Sequence, residues 1–205
     1  MTRRPPAAAS APATRPKKPH GGAGEVRIVG GQWKRTRLPV PDIVGLRPTP
    51  DRVRETLFNW LGQDLDGWQC LDAFAGTGAL GFEAASRGAV AVVLCEQDSA
   101  LIANLRTLRE RLRADTVEVR RGDGVVALRQ AAPGSLDLVL LDPPFGSALF
   151  APALDAAAAA IRPEGYVYLE APVAWTDEAL AAHRLVPFRH LRAGAVHAHL
   201  LRRMP

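Results

Sequence analysis

After Gly67 the chain alternates short apolar runs with stretches of helical length, and no other property narrows its fold as far. Such runs can be apolar throughout only in a sheet covered on both faces, and helical links between them make that sheet parallel. Strands are predicted at Gln69–Ala73, Val90–Cys95, Thr116–Arg120, Leu136–Leu141 and Tyr166–Glu170. Helices are predicted between them at Ala79–Arg87, Ser99–Arg113, Gly124–Ala131 and Ala148–Ile161. The last two apolar segments, Arg184–Leu191 and Ala195–Arg202, flank Ala193-Gly194. That link is too short for a helical crossover, so the two should pair antiparallel and close a sheet that is otherwise parallel.

Upstream, Val26-Arg27-Ile28-Val29, Gly30-Gly31, Trp33 and Arg37-Leu38-Pro39-Val40 suggest a short strand pair around a glycine turn. Arg47-Pro48-Thr49-Pro50-Asp51 reads as a helix start, with Thr49 as the cap and Pro50 at the first helical position, where its missing N–H costs nothing. The helix should run to about Leu61, burying Val53, Leu57, Trp60 and Leu61 and exposing Asp51, Arg52, Glu55, Thr56 and Asn59. Residues 1–24 are mostly Pro, Ala, Arg and Lys with a glycine-rich end. They cannot bury enough surface to offset ordering entropy, and their prolines oppose an amphipathic transit helix. The expected organisation is a disordered basic tail over 1–24, a β-hairpin and helix appendage over 25–66, and one α/β domain over 67–205.

The 26 Lys and Arg exceed the 21 Asp and Glu, giving net +5. The excess sits in the first 54 residues, where Glu25, Asp42 and Asp51 are the only acids, and it favours an anionic partner. Cys70 and Cys95 lie in apolar runs, which argues against a disulfide framework or a zinc site. His197 and His199 share one face of a strand without a visible third ligand, so no metal is expected. No apolar run reaches the length of a membrane helix and the N-terminus has no secretory core, so a cytoplasmic location is expected.

Leu71-Asp72-Ala73-Phe74-Ala75-Gly76-Thr77-Gly78-Ala79-Leu80-Gly81 is a strand that ends in an acid and turns through glycines into a helix. Gly76, Gly78 and Gly81 also satisfy a dinucleotide fingerprint, with Glu96 in the place of its ribose-binding acid, so the turn alone does not select a cofactor. Asp72 does. A carboxylate just before the turn would repel a pyrophosphate, whereas it would attract the ammonium and sulfonium of S-adenosylmethionine. Glu96 could accept the ribose hydroxyls, and Asp123 in Arg121-Gly122-Asp123-Gly124 could accept an adenine amine. The alternative for Asp72 and Asp123 is simple helix capping.

Leu141-Asp142-Pro143-Pro144-Phe145 follows the fourth strand. The prolines stiffen the backbone, so the Pro143 carbonyl and the Asp142 carboxylate can both accept hydrogen bonds from one exocyclic NH2 group and turn its lone pair toward a methyl donor. Phe145 offers a face on which an extruded base could stack. Arg27, Lys34, Arg35, Arg37, Arg47, Arg52 and Arg54 surround Trp33 in the appendage, a pattern suited to RNA phosphates.

Through Arg27-Ile28-Val29-Gly30-Gly31-Gln32-Trp33, the block from Arg47 to Leu61, Asp72 to Gly78 and Asp142 to Phe145, the sequence resembles the bacterial small-subunit rRNA guanine-N2 methyltransferases of the RsmD type, from about Val26 to Arg202. The resemblance implies a class I, Rossmann-like S-adenosylmethionine-dependent methyltransferase fold with a seven-stranded sheet. It implies methylation of a guanine N2 in 16S rRNA, guanine 966 being the family site. Cofactor positions carry over to Asp72, Phe74, Ala75, Gly76, Thr77, Gly78, Glu96, Asp123 and Gly124, and the amine-binding motif to Asp142, Pro143, Pro144 and Phe145. The implied partner is 16S rRNA in the small subunit or an assembly intermediate, with nearby ribosomal proteins, and the enzyme is expected to be a monomer. Competing readings are a DNA adenine-N6 methyltransferase, a protein-glutamine methyltransferase, and a catalytically silent assembly factor that binds RNA.

Overall fold

A computed structural model of the chain describes residues 24–43 and 46–204, so the tail expected over 1–24 lies outside it except for Gly24. Gly24 already belongs to strand β1, Gly24–Arg27, which pairs antiparallel with β2, Arg37–Val40. Helix α1 follows at Asp51–Trp60. Five βα steps come next: β3 Gln69–Asp72, α2 Ala79–Ser86, β4 Ala91–Glu96, α3 Ser99–Leu112, β5 Val117–Arg121, α4 Gly124–Gln130, β6 Leu136–Leu141, α5 Phe150–Ala160, β7 Ile161–Ala171 and α6 Asp177–Ala181. The hairpin β8 Leu185–Ala193 and β9 Val196–Arg203 ends the chain.

The sheet has seven strands in the order β5-β4-β3-β6-β7-β9-β8. The first five are parallel, and β9 pairs antiparallel with both β7 and β8. This is the architecture that the resemblance implies. The strand order turns back between β3 and β6, and such a reversal leaves a crevice at the carboxyl ends of the strands. Strand alternation divides the interior into two layers. Cys70, Leu138 and Leu140 face α1, α2, α3 and the N-terminal hairpin, whereas Leu71, Ala73, Val139 and Leu141 face α4, α5 and α6. Both faces being covered explains why β6 is buried at every residue.

Three local expectations change. Thr49 does not cap α1: Pro50 occupies the cap position without a side-chain bond, and the Thr49 hydroxyl donates instead to Glu170 Oε1 at 2.6 Å. The helix starts one residue later than the local pattern predicts, so Thr49 lies ahead of the cap position and its hydroxyl proton goes to the buried carboxyl. Strand β7 begins at Ile161, with its register against β6 broken between Leu136 and Leu138 where Arg162-Pro163-Glu164-Gly165 intervenes. Helix α6 was not expected, although its signal is present: Thr176 caps it by accepting from Ala179 N at 3.2 Å, ahead of Asp177 and Glu178. Among the described residues no helix is long and apolar enough to cross a membrane.

Candidate functional site

The strand order turns a sequence pattern into a site. Read across the carboxyl edge from β5 to β7, the acids at the strand ends stand in the order Asp123, Glu96, Asp72, Asp142 and Glu170. Four of these were expected from sequence; Glu170 was not. Its signal was an acid closing the apolar run Tyr166–Leu169, the same pattern that marks Asp72 and Glu96.

Asp72 is buried, and its Oδ2 accepts from Gly81 N inside α2 at 3.1 Å. Its Oδ1 is also buried, with no donor among the described residues. Burial raises its pKa to about 7, opposed by the hydrogen bond from Gly81 N and reinforced by the charges of Glu96 and Glu170. The chain turns beside it through Gly76 and Gly78, both at positive φ, and Gly78 stands at the N-terminus of α2. A side chain at Gly78 would also strike Leu105 and Phe82, so the backbone is the only surface that the turn presents there. Ala75 and Thr77 are buried and Phe74 half-buried in the same turn.

Glu96 Oε2 accepts from Gly76 N at 2.9 Å, and Oε1 accepts from Gln97 N at 2.7 Å and Asp98 N at 2.9 Å. The expectation that it takes both ribose hydroxyls therefore meets a carboxylate already using three of about four acceptor positions, which leaves room for one. Asp123 both caps α4, through Val126 N at 2.9 Å, and binds Gln97 Nε2 at 3.0 Å. The capping alternative is thus true of Asp123 without removing it from the edge. Gly124 packs so close to β3 that a Cβ would lie 1.9 Å from the Ala73 carbonyl oxygen.

Beyond β6, Asp142 keeps partial solvent access, Pro143 is buried, and Pro144 and Phe145 are exposed, with 48% of Phe145 open to solvent. The Pro144 carbonyl accepts from Ser147 N at 3.2 Å and closes the turn. No hydrogen bond among the described residues ends on the Pro143 carbonyl. Shielding of its carboxyl, then the charges of Glu170 and Asp72, hold Asp142 well above the usual carboxylate range.

Of the basic residues expected to meet RNA, Lys34, Arg35, Arg47 and Arg52 are exposed and form no ion pair among the described residues. Arg27 and Arg37 are exposed but paired, with Asp51 at 2.9 Å and Glu25 at 2.8 Å. A depression of the surface is lined by Arg27, Lys34 and Arg35 together with the acid Glu55. Arg54 corrects the sequence reading. It is fully buried, and its guanidinium donates to Glu83 at 3.0 Å, Asp51 at 2.6 Å, the Arg27 carbonyl at 2.6 Å and the Thr49 carbonyl at 3.1 Å. Its donors are committed to joining α1, α2 and the hairpin, so it cannot contact a phosphate.

The third imidazole missing from the sequence reading is His190. Its Nε2 lies 3.0 Å from His197 Nδ1, and its ring centroid is 4.6 Å from that of His199. His199 Nε2 accepts from Trp175 N at 3.2 Å, and burial with its neighbouring histidines lowers its pKa to about 4. Among the described residues no cluster of His, Cys, Asp or Glu has an arrangement that could hold a metal.

Residues 26–202 match the family described as conserved hypothetical protein 95. Over 134 residues the chain is 51% identical to the ribosomal RNA small subunit methyltransferase D of Escherichia coli K12, covering 63% of this chain and 65% of that protein. It is 45% identical over 125 residues to the protein of the same name from Haemophilus influenzae, covering 60% and 65%. The chain thus spans about 65% of the length of these curated relatives. Among solved structures, a putative methyltransferase of Escherichia coli superposes with a TM-score of 0.76 at 38% identity, over 88% of this chain and 99% of the other. A putative methylase of Haemophilus influenzae does so with a TM-score of 0.71 at 32% identity, over 89% and 100%.

Proposed function

The chain belongs to the conserved hypothetical protein 95 family, that of the RsmD-type methyltransferases, and on that premise we propose that it transfers a methyl group from S-adenosylmethionine to the exocyclic N2 of a guanine in 16S rRNA of the small ribosomal subunit, guanine 966 being the family site. The observation that carries this reading is the juxtaposition of a buried, donor-less Asp72 Oδ1 with the proline-stiffened Asp142–Phe145 turn on adjacent strands.

The residues present fit the cofactor. A buried carboxylate oxygen without a donor, beside other acids whose charges push Asp72 and Asp142 up, favours a cationic ligand over a phosphate. Asp72 would hold the cationic amino-acid end, Glu96 a ribose hydroxyl and Asp123 the adenine amine, while the backbone from Phe74 to Gly78 and Gly124 gives close approach. When bound, the cofactor supplies an electrophilic methyl group on sulfur.

The other groups act on the base. Asp142 and the free Pro143 carbonyl accept the two hydrogens of one amine and so aim its lone pair along the transfer path. Phe145, half exposed beside them, stacks on the extruded guanine. Lys34, Arg35, Arg47 and Arg52, with Arg27 and Arg37 once their carboxylate partners are exchanged for phosphates, hold the RNA backbone.

Small subunits from a strain lacking the endogenous modification, incubated with this protein and methyl-labelled cofactor, are expected to gain label on one guanine N2, located by mass mapping. D142A should lower transfer by about 10²-fold or more while leaving cofactor affinity nearly intact. Label at another atom, no label, or D142A protein that transfers normally would each sink the reading.

A further inference from the structure

Glu170 is a buried acid that the proposed cofactor and base contacts leave unused. The parallel register of β6 and β7 sets Leu141 beside Leu169, which brings the next residues, Asp142 and Glu170, side by side at the crevice. Among the described residues both hydrogen bonds to Glu170 end on Oε1: the Thr49 hydroxyl donates at 2.6 Å and the Tyr168 hydroxyl at 2.9 Å. Tyr168 is itself fully buried, and the Thr49 carbonyl accepts from Arg54 Nε at 3.1 Å. Oε1 is therefore clamped from β7 on one side and from the segment before α1 on the other, which fixes the orientation of the whole carboxyl.

A tie between Thr49 and the sheet needs only a neutral acceptor, and a glutamine would serve. A carboxyl at this place is costly, because it is shielded from water and its charge acts against those of Asp142 and Asp72. Such an arrangement is worth its cost where the charge of one acid sets the basicity of the other.

We propose that Glu170 is a positioning residue for the target amine: held by Thr49 and Tyr168, it forms a side-by-side carboxyl pair with Asp142 that keeps Asp142 a strong proton acceptor toward the base nitrogen. This rests on the methyltransferase reading above. As the nitrogen–carbon bond forms, the carbon–sulfur bond breaks and its electron pair stays on sulfur. The nitrogen then carries a positive charge and gives one proton to the Asp142 carboxylate, from which it leaves to solvent when the product departs. The negative charge of Glu170 beside Asp142 makes that acceptance more favourable. The other groups facing the pair are Asp72 from β3, the hydroxyls of Tyr168 and Thr49, and Arg54 from α1, whose charge opposes that of the acids. In the free protein, burial and the charge of Glu170 raise Asp142, in keeping with this arrangement.

The test is E170Q, which preserves the acceptor for Thr49 and Tyr168 but removes the charge. Carboxyl carbon-13 titration of the free protein is expected to show the Asp142 midpoint falling by about one pH unit. The acidic limb of the kcat profile should move down with it, and plateau kcat should fall roughly tenfold, with KM for the RNA substrate unchanged. E170D, which keeps the charge, should retain the wild-type limb. If wild-type protein methylates RNA yet neither midpoint nor limb moves in E170Q, the pairing is overturned. A midpoint that moves in E170Q while the wild-type protein methylates no RNA overturns instead the functional reading and the amine's part in the pairing. Should E170Q not fold, T49V is expected to lower kcat with KM unchanged, and a wild-type kcat in T49V overturns the proposal.

Discussion

Arg54 and Arg52 are separated by one residue in the same basic cluster, yet they answer to different forces. Arg54 shares the buried face of α1 with Val53, Leu57 and Phe58, and its charge is met by Glu83 and Asp51. Removing one member of a buried ionic network strands the others, so R54A should cost about 3–5 kcal/mol in denaturant unfolding. R52A should leave the unfolding midpoint nearly unchanged and reduce the slope of log K for RNA against log salt by about one, measured by filter binding over a salt series. Asp72 answers to pH. Its folded pKa of about 7 stands above the 3.8 of the unfolded chain, so the fold holds a proton that the unfolded chain releases. Its contribution to stability is fully present below pH 3.8 and is lost as pH rises through 7. D72N should therefore melt with the wild type near pH 4 and above it near pH 8, while losing affinity for the cationic cofactor. A D72N protein that is less stable than wild type at both pH values would contradict this assignment.

At the scale of elements, the N-terminal hairpin is fixed to α2 by backbone as much as by side chains. Val29 N donates to Glu83 Oε2 at 2.8 Å, Gln32 N to the Ser86 carbonyl at 2.7 Å, and Ser86 Oγ to the Gly30 carbonyl at 2.7 Å. Gly31 makes that approach possible: it has φ of +70° and a Cβ there would lie 1.8 Å from the Ser86 carbonyl oxygen. G31A should cost about 1–3 kcal/mol, seen as a lowered Tm, whereas G194A at the open β8–β9 turn meets no neighbouring atom and pays only for its own φ of +63°. Most of these elements were legible in the sequence, because alternating apolar runs, turn glycines and the Asp123 cap are local signals. Thr49 and the start of β7 were not. In each, a contact with a distant strand replaced the local preference, and no window of sequence contains both partners.

The appendage and the domain share a single interior. Val26, Ile28, Leu38 and Val40 from the hairpin and Val53, Leu57 and Phe58 from α1 lie in one apolar cluster with Cys70, Phe82, Leu94 and Leu105. The described chain should then unfold in one calorimetric transition, and fluorescence of a variant whose Trp60, Trp68 and Trp175 are Phe, so that Trp33 alone reports on the hairpin, should follow the same curve. Trp33 fluorescence that changes well before the main transition would show a separately melting hairpin. The chain alone determined the succession of strands and helices, the glycine turn after Asp72 and the stiff turn after β6, since each depends on residues within a few positions of one another. Only the tertiary structure decided that β3 lies between β4 and β6, that Glu170 stands beside Asp142 with Thr49 bonded to it from 121 residues away, and that Arg54 faces inward. Periodicity reports which face of an element is buried, but the partner on that face is chosen by the packing of the whole chain.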